Sequence, residues 1–131
     1  MTDILIVEDN KELSGLLCDF LRAENYTVSM AESGEKALSI YEKYGARLVL
    51  LDIMLPGMDG FETTKIIRSL DNTKKAGIPI VAMTANAFDE DRKKALENGM
   101  NGHISKPFNV DTFAETVLGY IGERMNSSKT E

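Results

Sequence analysis

The chain has 131 residues, 43% of them hydrophobic, with a formal charge of −6 and a pI of about 4.9, enough for one domain that buries roughly 65–70% of its unfolded surface. The 15 Lys and Arg residues are spread along the chain instead of forming a block, which argues against nucleic-acid binding by this domain; the apolar runs are too short for a signal peptide or a spanning helix, so a cytoplasmic location is expected. A single cysteine, Cys18, excludes an internal disulfide framework and a multi-cysteine zinc site and reads as a small helical filler.

In chain order, "ILIV" (4–7) predicts a first strand. Leu13, Leu16, Leu17, Phe20 and Leu21 follow at helical spacing, which predicts an amphipathic helix with these residues on its buried face. "YTVSM" (26–30) predicts the second strand, Ser33 an N-cap, and Ala37, Ile40, Tyr41 and Tyr44 the stripe of a second helix. "RLVLL" (47–51) predicts the third strand. In "DGFE" (59–62), Asp59 followed by Glu62 is a capping-box variant that opens a third helix with Thr63, Ile66, Ile67 and Leu70 inward. "IPIVAM" (78–83) is the fourth strand, Phe88, Arg92, Ala95 and Leu96 a weak fourth stripe, and Asn98 or Gly99 its left-handed stop. "GHI" (102–104) is the fifth strand, and Val110, Phe113, Val117 and Ile121 mark the fifth helix. Residues 125–131 lose periodicity and read as a polar tail or the start of a linker, which leaves residues 1–124 as the domain.

Continuously apolar strands, each followed by one helix, predict an α/β fold with a parallel sheet covered on both faces. In such sheets ligands sit beyond the carboxyl ends of the strands. There the sequence places Glu8, Asp9 and Asn10 after the first strand, Asp52 after the third, Met83 and Thr84 after the fourth, and Ser105, Lys106 and Pro107 after the fifth. Glu8, Asp9 or Asn10 taken singly is as consistent with an ordinary helix cap. Asp52 is not, because the next helix opens only near Asp59. Three carboxylates at one edge repel one another, so a cation is required; Lys106 supplies one charge and Mg2+, a hard oxygen-seeking ion, the rest. A carboxylate nucleophile beside a divalent metal, an ammonium and a hydroxyl suits phosphoryl transfer, with Asp52 as the central nucleophile.

The acidic pair in "VEDN", the central "LLDIMLPGMDG", the "MTA" after strand four and the "KPF" after strand five, in this order and spacing, resemble the receiver domain of two-component response regulators from residue 3 to about residue 122. The resemblance implies a flavodoxin-like (βα)5 three-layer sandwich with strand order 2-1-3-4-5, an arrangement for which the receiver fold is itself a standard illustration. It implies that Asp52 accepts a phosphoryl group from a phosphohistidine on a sensor histidine kinase or histidine phosphotransfer protein. Glu8, Asp9, Asp52 and the backbone carbonyl of Met54 would hold Mg2+. Thr84 and Lys106 would bond phosphoryl oxygens, and the Lys106–Pro107 peptide would be cis. The family's switch couples the hydroxyl residue to an aromatic three residues before the lysine; here that pair is Thr84 and His103, where Tyr or Phe is commoner. Protonation of His103 near its ordinary pKa of about 6.5 would bias the switch. Met54, Ala85 and Asn86 occupy positions that tune loss of the phosphoryl group. The face formed by the fourth helix, fifth strand and fifth helix would meet an output partner or a second, phosphorylated copy.

The resemblance implies a signalling phosphoacceptor rather than an enzyme, a stand-alone receiver or the amino-terminal part of a larger regulator. The alternatives are Mg2+-dependent enzymes. A Toprim-type nucleic-acid enzyme needs a DxD where this chain has Asp52 followed two residues on by Met54, and a haloacid-dehalogenase-type phosphatase carries its nucleophile after the first strand. A nucleotide-binding relative needs a glycine- or hydroxyl-rich loop where this chain has "VEDNKE".

Overall fold

A computed structural model of the chain describes residues 2–84, 89–106 and 109–122. Ala85, Asn86, Phe88, Pro107 and the tail from 125 lie outside the described residues. The element order is β1 (Ile4–Val7), α1 (Lys11–Ala23), β2 (Val28–Ala31), α2 (Gly34–Tyr44), β3 (Leu48–Asp52), α3 (Gly60–Arg68), α4 (Thr73–Ala76), β4 (Ile80–Thr84), α5 (Asp89–Glu97), β5 (Gly102–Ser105) and α6 (Val110–Val117), which runs on as a π-helical turn over Leu118–Gly122. All five strands are parallel, in the order β2-β1-β3-β4-β5.

The central strands are apolar on both faces because both faces are covered. Every residue of β1, β3 and β4 is buried, whereas the edge strands β2 and β5 are only partly so. Alternate residues divide the core in two. Leu5, Val7, Val49, Leu51, Ile80 and Ala82 pack with Ala37, Tyr41, Phe61, Ile67 and Ala95, from α2, α3 and α5. Ile4, Ile6, Leu50, Val81, Met83 and Ile104 pack with Leu17, Cys18, Leu21, Phe113 and Val117, from α1 and α6. This is the three-layer sandwich expected from the sequence.

The caps follow the local chemistry. The side chains of Asn10, Ser33 and Asp59 accept hydrogen bonds from the backbone N–H of Leu13, Lys36 and Glu62. Of the two candidates for the left-handed stop after α5, Gly99 takes it, with φ +96°. Strand limits shift by one or two residues. β2 begins at Val28 because Thr27 is held outside the ladder, where its N–H donates to Asp3 Oδ2 and its Oγ1 accepts from Asp3 N–H. β3 and β4 reach Asp52 and Thr84, so both site candidates are themselves ladder residues.

Four expectations from periodicity fail. Leu16, Tyr44 and Leu96 are 64%, 53% and 63% exposed, and Ile66 is 38% exposed, although each lies on a predicted apolar stripe. In α1 the buried arc is Ser14, Leu17, Cys18 and Leu21, which leaves Leu16 beyond its edge. The helix α4 is an addition. Its four residues carry no apolar stripe, and only Asn72, whose Oδ1 accepts from the N–H groups of Lys74 and Lys75, marks its start. Arg68 then ties α3 to α4 and to the turn before β5, donating to the carbonyls of Ala76, Ile78 and Gly99 and to Asn101 Oδ1.

The Leu16 correction is measurable. Leu17→Ala is expected to lower unfolding free energy by about 2–5 kcal/mol, and Leu16→Ala by less than about 0.5 kcal/mol, in urea denaturation of the two variants. Equal losses would restore the stripe read from periodicity.

Candidate functional site

The site lies at the carboxyl ends of β1, β3, β4 and β5. Asn10 caps α1, so it is Asn10 and not its acidic neighbours that satisfies the helix end, and Glu8 and Asp9 are left for the rim. Glu8 continues the ladder, its N–H donating to the Ala31 carbonyl at 3.0 Å. Its carboxylate, only 2% exposed, accepts from Asn10 N–H at 3.2 Å through Oε2.

Asp52 is 5% exposed and faces Met83 across the β3–β4 ladder. The next residue keeps the strand in register, with Ile53 N–H donating to the Met83 carbonyl at 3.1 Å. Met54 N–H then turns back to Asp52 Oδ1 at 3.0 Å, and the Met54 side chain projects into solvent. Asp52 is thereby held by its own loop, with Oδ2 aimed at the neighbouring cation.

That cation is Lys106. Its Nζ donates to Glu8 Oε1 at 2.5 Å and to Asp52 Oδ2 at 3.3 Å. Its backbone N–H donates to the Thr84 carbonyl at 2.6 Å, which extends the β4–β5 ladder by one residue and anchors the stem. Burial pulls the ammonium's pKa down. The hydrogen bond to Glu8 and the negative charges of Asp52 and Glu8 outweigh burial, so it ends above its ordinary 10.5 and stays charged. Thr84 is buried at the same rim, between the strands that carry Asp52 and Lys106.

Glu8, Asp9 and Asp52 each bring a carboxylate oxygen to within 4.8 Å of the others. Three carboxylates against one ammonium leave two negative charges uncompensated. Mg2+ is bound by carboxylate oxygens together with waters, and this oxygen-only donor set with its excess negative charge has the chemistry to hold that ion.

His103 sits on the edge strand β5, half-buried, in register with Ala82. Burial first and the Arg92 charge second hold its pKa below the ordinary 6.5. At neutral pH it is an uncharged ring, nearer to the aromatic residue of the resemblance than its identity suggests.

One residue escaped the sequence reading. A Cβ on Gly60 would stand 2.6 Å from the Asp52 carbonyl oxygen and 2.9 Å from Ile53 Cα, so α3 begins against the backbone of the site itself. The signal was the Gly after the Asp59 cap, which reads equally well as a turn residue.

A parallel α/β domain with a carboxylate-rich, lysine-bridged rim defines a class of phosphate- and metal-handling folds. The chain matches the response regulator receiver domain family over residues 4–118 and belongs to it. It is 35% identical over 120 residues to the polar-differentiation response regulator DivK of Brucella ovis, covering 92% of this chain and 96% of DivK. It is 38% identical over 122 residues to transcription factor SKN7 of Saccharomyces cerevisiae, 93% of this chain but 19% of SKN7. Among solved structures, the receiver domain of sensor histidine kinase PA1611 from Pseudomonas aeruginosa, with magnesium coordinated in its active-site cleft, superposes with a TM-score of 0.81 at 34% identity over 92% of this chain and 98% of that one. The receiver domain of Ssk1 from Saccharomyces cerevisiae, crystallised with the phosphotransfer protein Ypd1, gives 0.86 at 30% identity over 94% and 90%. Receiver domains are signalling phosphoacceptors of two-component systems, not classical enzymes, so the Toprim-type and phosphatase alternatives fall away.

Two measurements follow from the geometry. Gly60→Ala is expected to cost about 1–3 kcal/mol in urea unfolding and to weaken Mg2+ binding in calorimetry, whereas Gly15→Ala, with nothing within 4 Å of its added Cβ, costs nothing and binds Mg2+ normally. The lowered His103 pKa means that the unfolded chain binds the proton better. Its contribution to stability is present above about pH 6.5 and is lost as pH falls through the folded value. Urea midpoints taken down a pH series should therefore show the parent losing stability relative to His103→Phe in that acid window; parallel profiles would refute it.

Proposed function

We propose that this chain accepts a phosphoryl group on Asp52 from a phosphohistidine of a sensor histidine kinase or a histidine phosphotransfer protein, and that the change at Asp52 switches the face made by α5, β5 and α6. The observation that carries the reading is the bridge from Lys106 to both Glu8 and Asp52 with Asp9 completing the carboxylate cluster. It gathers nucleophile, cation and metal ligands at one rim.

In the transfer, a carboxylate oxygen of Asp52 forms a bond to phosphorus while the bond from phosphorus to the donor imidazole nitrogen breaks. The electron pair of the broken bond stays on that nitrogen, and the product is an aspartyl phosphate. Glu8, Asp9, Asp52 and the Met54 carbonyl would hold Mg2+, which when bound neutralises charge on the phosphoryl oxygens. Lys106, already charged and already beside Asp52, transfers its hydrogen bonds to a phosphoryl oxygen, and the Thr84 hydroxyl donates to another. Loss of the old Lys106 contact and the new demand on Thr84 are what reach His103 on the adjoining strand. Met54, Ala85 and Asn86 occupy the sequence positions that tune loss of the phosphoryl group, hence its lifetime. Only uptake from small phosphodonors and slow self-dephosphorylation are expected as autonomous chemistry, in the cytoplasm where such donors occur.

The donor needs an apolar footing beside an acidic rim. Met54, 73% exposed, and Leu16, 64% exposed on the helix that the Glu8–Asn10 loop leads into, supply it. With Mg2+ and acetyl phosphate, intact-mass spectrometry is expected to show one phosphoryl group on the parent and none on Asp52→Asn. Leu16→Asp is expected to keep uptake from acetyl phosphate while transfer from a phosphorylated histidine phosphotransfer protein falls by tenfold or more. Uptake by Asp52→Asn would overturn the assignment of the acceptor, and equal transfer to Leu16→Asp the assignment of the footing.

A further inference from the structure

The opposite end of the sheet has the opposite charge. A cleft of about 770 Å³ opens at the amino-terminal edges of β3 and β4, between the end of α2 and the α4 turn. Its lining includes Lys43, Arg47, Lys74 and Lys75 and, among the described residues, not one carboxylate, on a chain whose net charge is −6. Ala46, Ile78 and Pro79 add an apolar component.

Three of these four cations are not spent on ion pairs among the described residues. Arg47 has Asp3 at 3.4 Å, but among the described residues Lys43, Lys74 and Lys75 have no carboxylate partner. Lys43 and Lys75 lie instead over the rings of Tyr44 and Tyr41, at 5.4 and 5.9 Å, and Lys75 Nζ also donates to the Glu42 carbonyl. A ring face orients an ammonium without neutralising it. Both rings are therefore already capped by cations, and Tyr41 is buried with its hydroxyl donating to the Lys75 carbonyl. A nucleobase would have to displace an ammonium to stack there, and an open cleft gives it little enclosure. An extended chain with carboxylates on one side and aliphatic groups on the other meets the charges and the apolar residues together.

We infer that this cleft docks an acidic, partly apolar peptide segment of a partner protein. Because it lies at the far end of the sheet from Asp52, docking leaves the rim open and does not depend on phosphorylation; the inference stands independently of the acceptor assignment.

The test is fluorescence anisotropy of the full chain with a fluorescein-labelled peptide alternating Glu and Leu. Binding is expected to weaken with added salt and to fall by about tenfold or more in Lys43→Glu/Lys74→Glu, whose side chains are both exposed and whose fold is checked by circular dichroism. Asp52→Asn and the acetyl-phosphate-treated parent are expected to bind as the parent does. No binding, equal binding by the double variant, or loss of binding in Asp52→Asn would each overturn the inference. So would displacement of the peptide by ATP at equal or lower concentration, which would assign the cleft to nucleotides.

Discussion

Everything at the functional rim depends on one ammonium. Glu8 and Asp52 are carboxylates at the ends of two adjacent strands that are otherwise wholly apolar, and both are almost without solvent. Two such charges side by side are tolerated only with a cation between them. Lys106 reaches both from the end of β5. The contact spans β1, β3 and β5, so it closes the sheet electrostatically where the ladder hydrogen bonds have run out. It also means that the charge state of Asp52 cannot change without changing what Lys106 touches.

The sheet determines which parts of the rim are most firmly held. Asp52 stands on the central strand, in register with Met83, and α3 starts so close to its backbone that a Cβ on Gly60 would stand 2.6 Å from its carbonyl oxygen, so it has little room to yield. His103 belongs to the edge strand and Lys106 directly follows it, and that strand is paired on one side only and is less buried. Displacement at the edge therefore costs fewer contacts than displacement at the centre. Lys94, whose ammonium lies 4.8 Å from the centre of the Phe61 ring, is a cation–π contact between α5 and α3, and so between the edge face and the helix that starts at the site.

The two ends of the parallel sheet have opposite characters. Carboxylates gather where the strands end and lysines where they begin, and the chain's modest net charge conceals the separation. Lys43 in the last turn of α2 complements that helix's dipole, but Lys74 and Lys75 sit on a helix too short to require it. A domain arranged in this way presents an acidic rim at one end of the sheet and a cationic cleft at the other, without the two surfaces overlapping.

The sequence by itself determined the alternation of strands and helices, the sheet's burial on both faces and the members of the rim, since each rests on local pattern: four or five apolar residues, a cap, then a polar residue at a strand's end. Ser33 and Asp59 announce their helices because capping is chemistry within four residues. What only the tertiary structure decided depends on neighbours distant in sequence. Leu16 and Leu96 have core identities at core spacing yet lie outside, because the width of a buried stripe is set by what the helix packs on and not by the helix. The role of Gly60 arises from an approach to Asp52 across a chain reversal, and no periodicity records a distance. Lys106 and Glu8 are 98 positions apart, and the basic cleft joins residues 41–47 to residues 74–79; these cations are separate in the sequence, and only the parallel pairing of β3 with β4 brings them together.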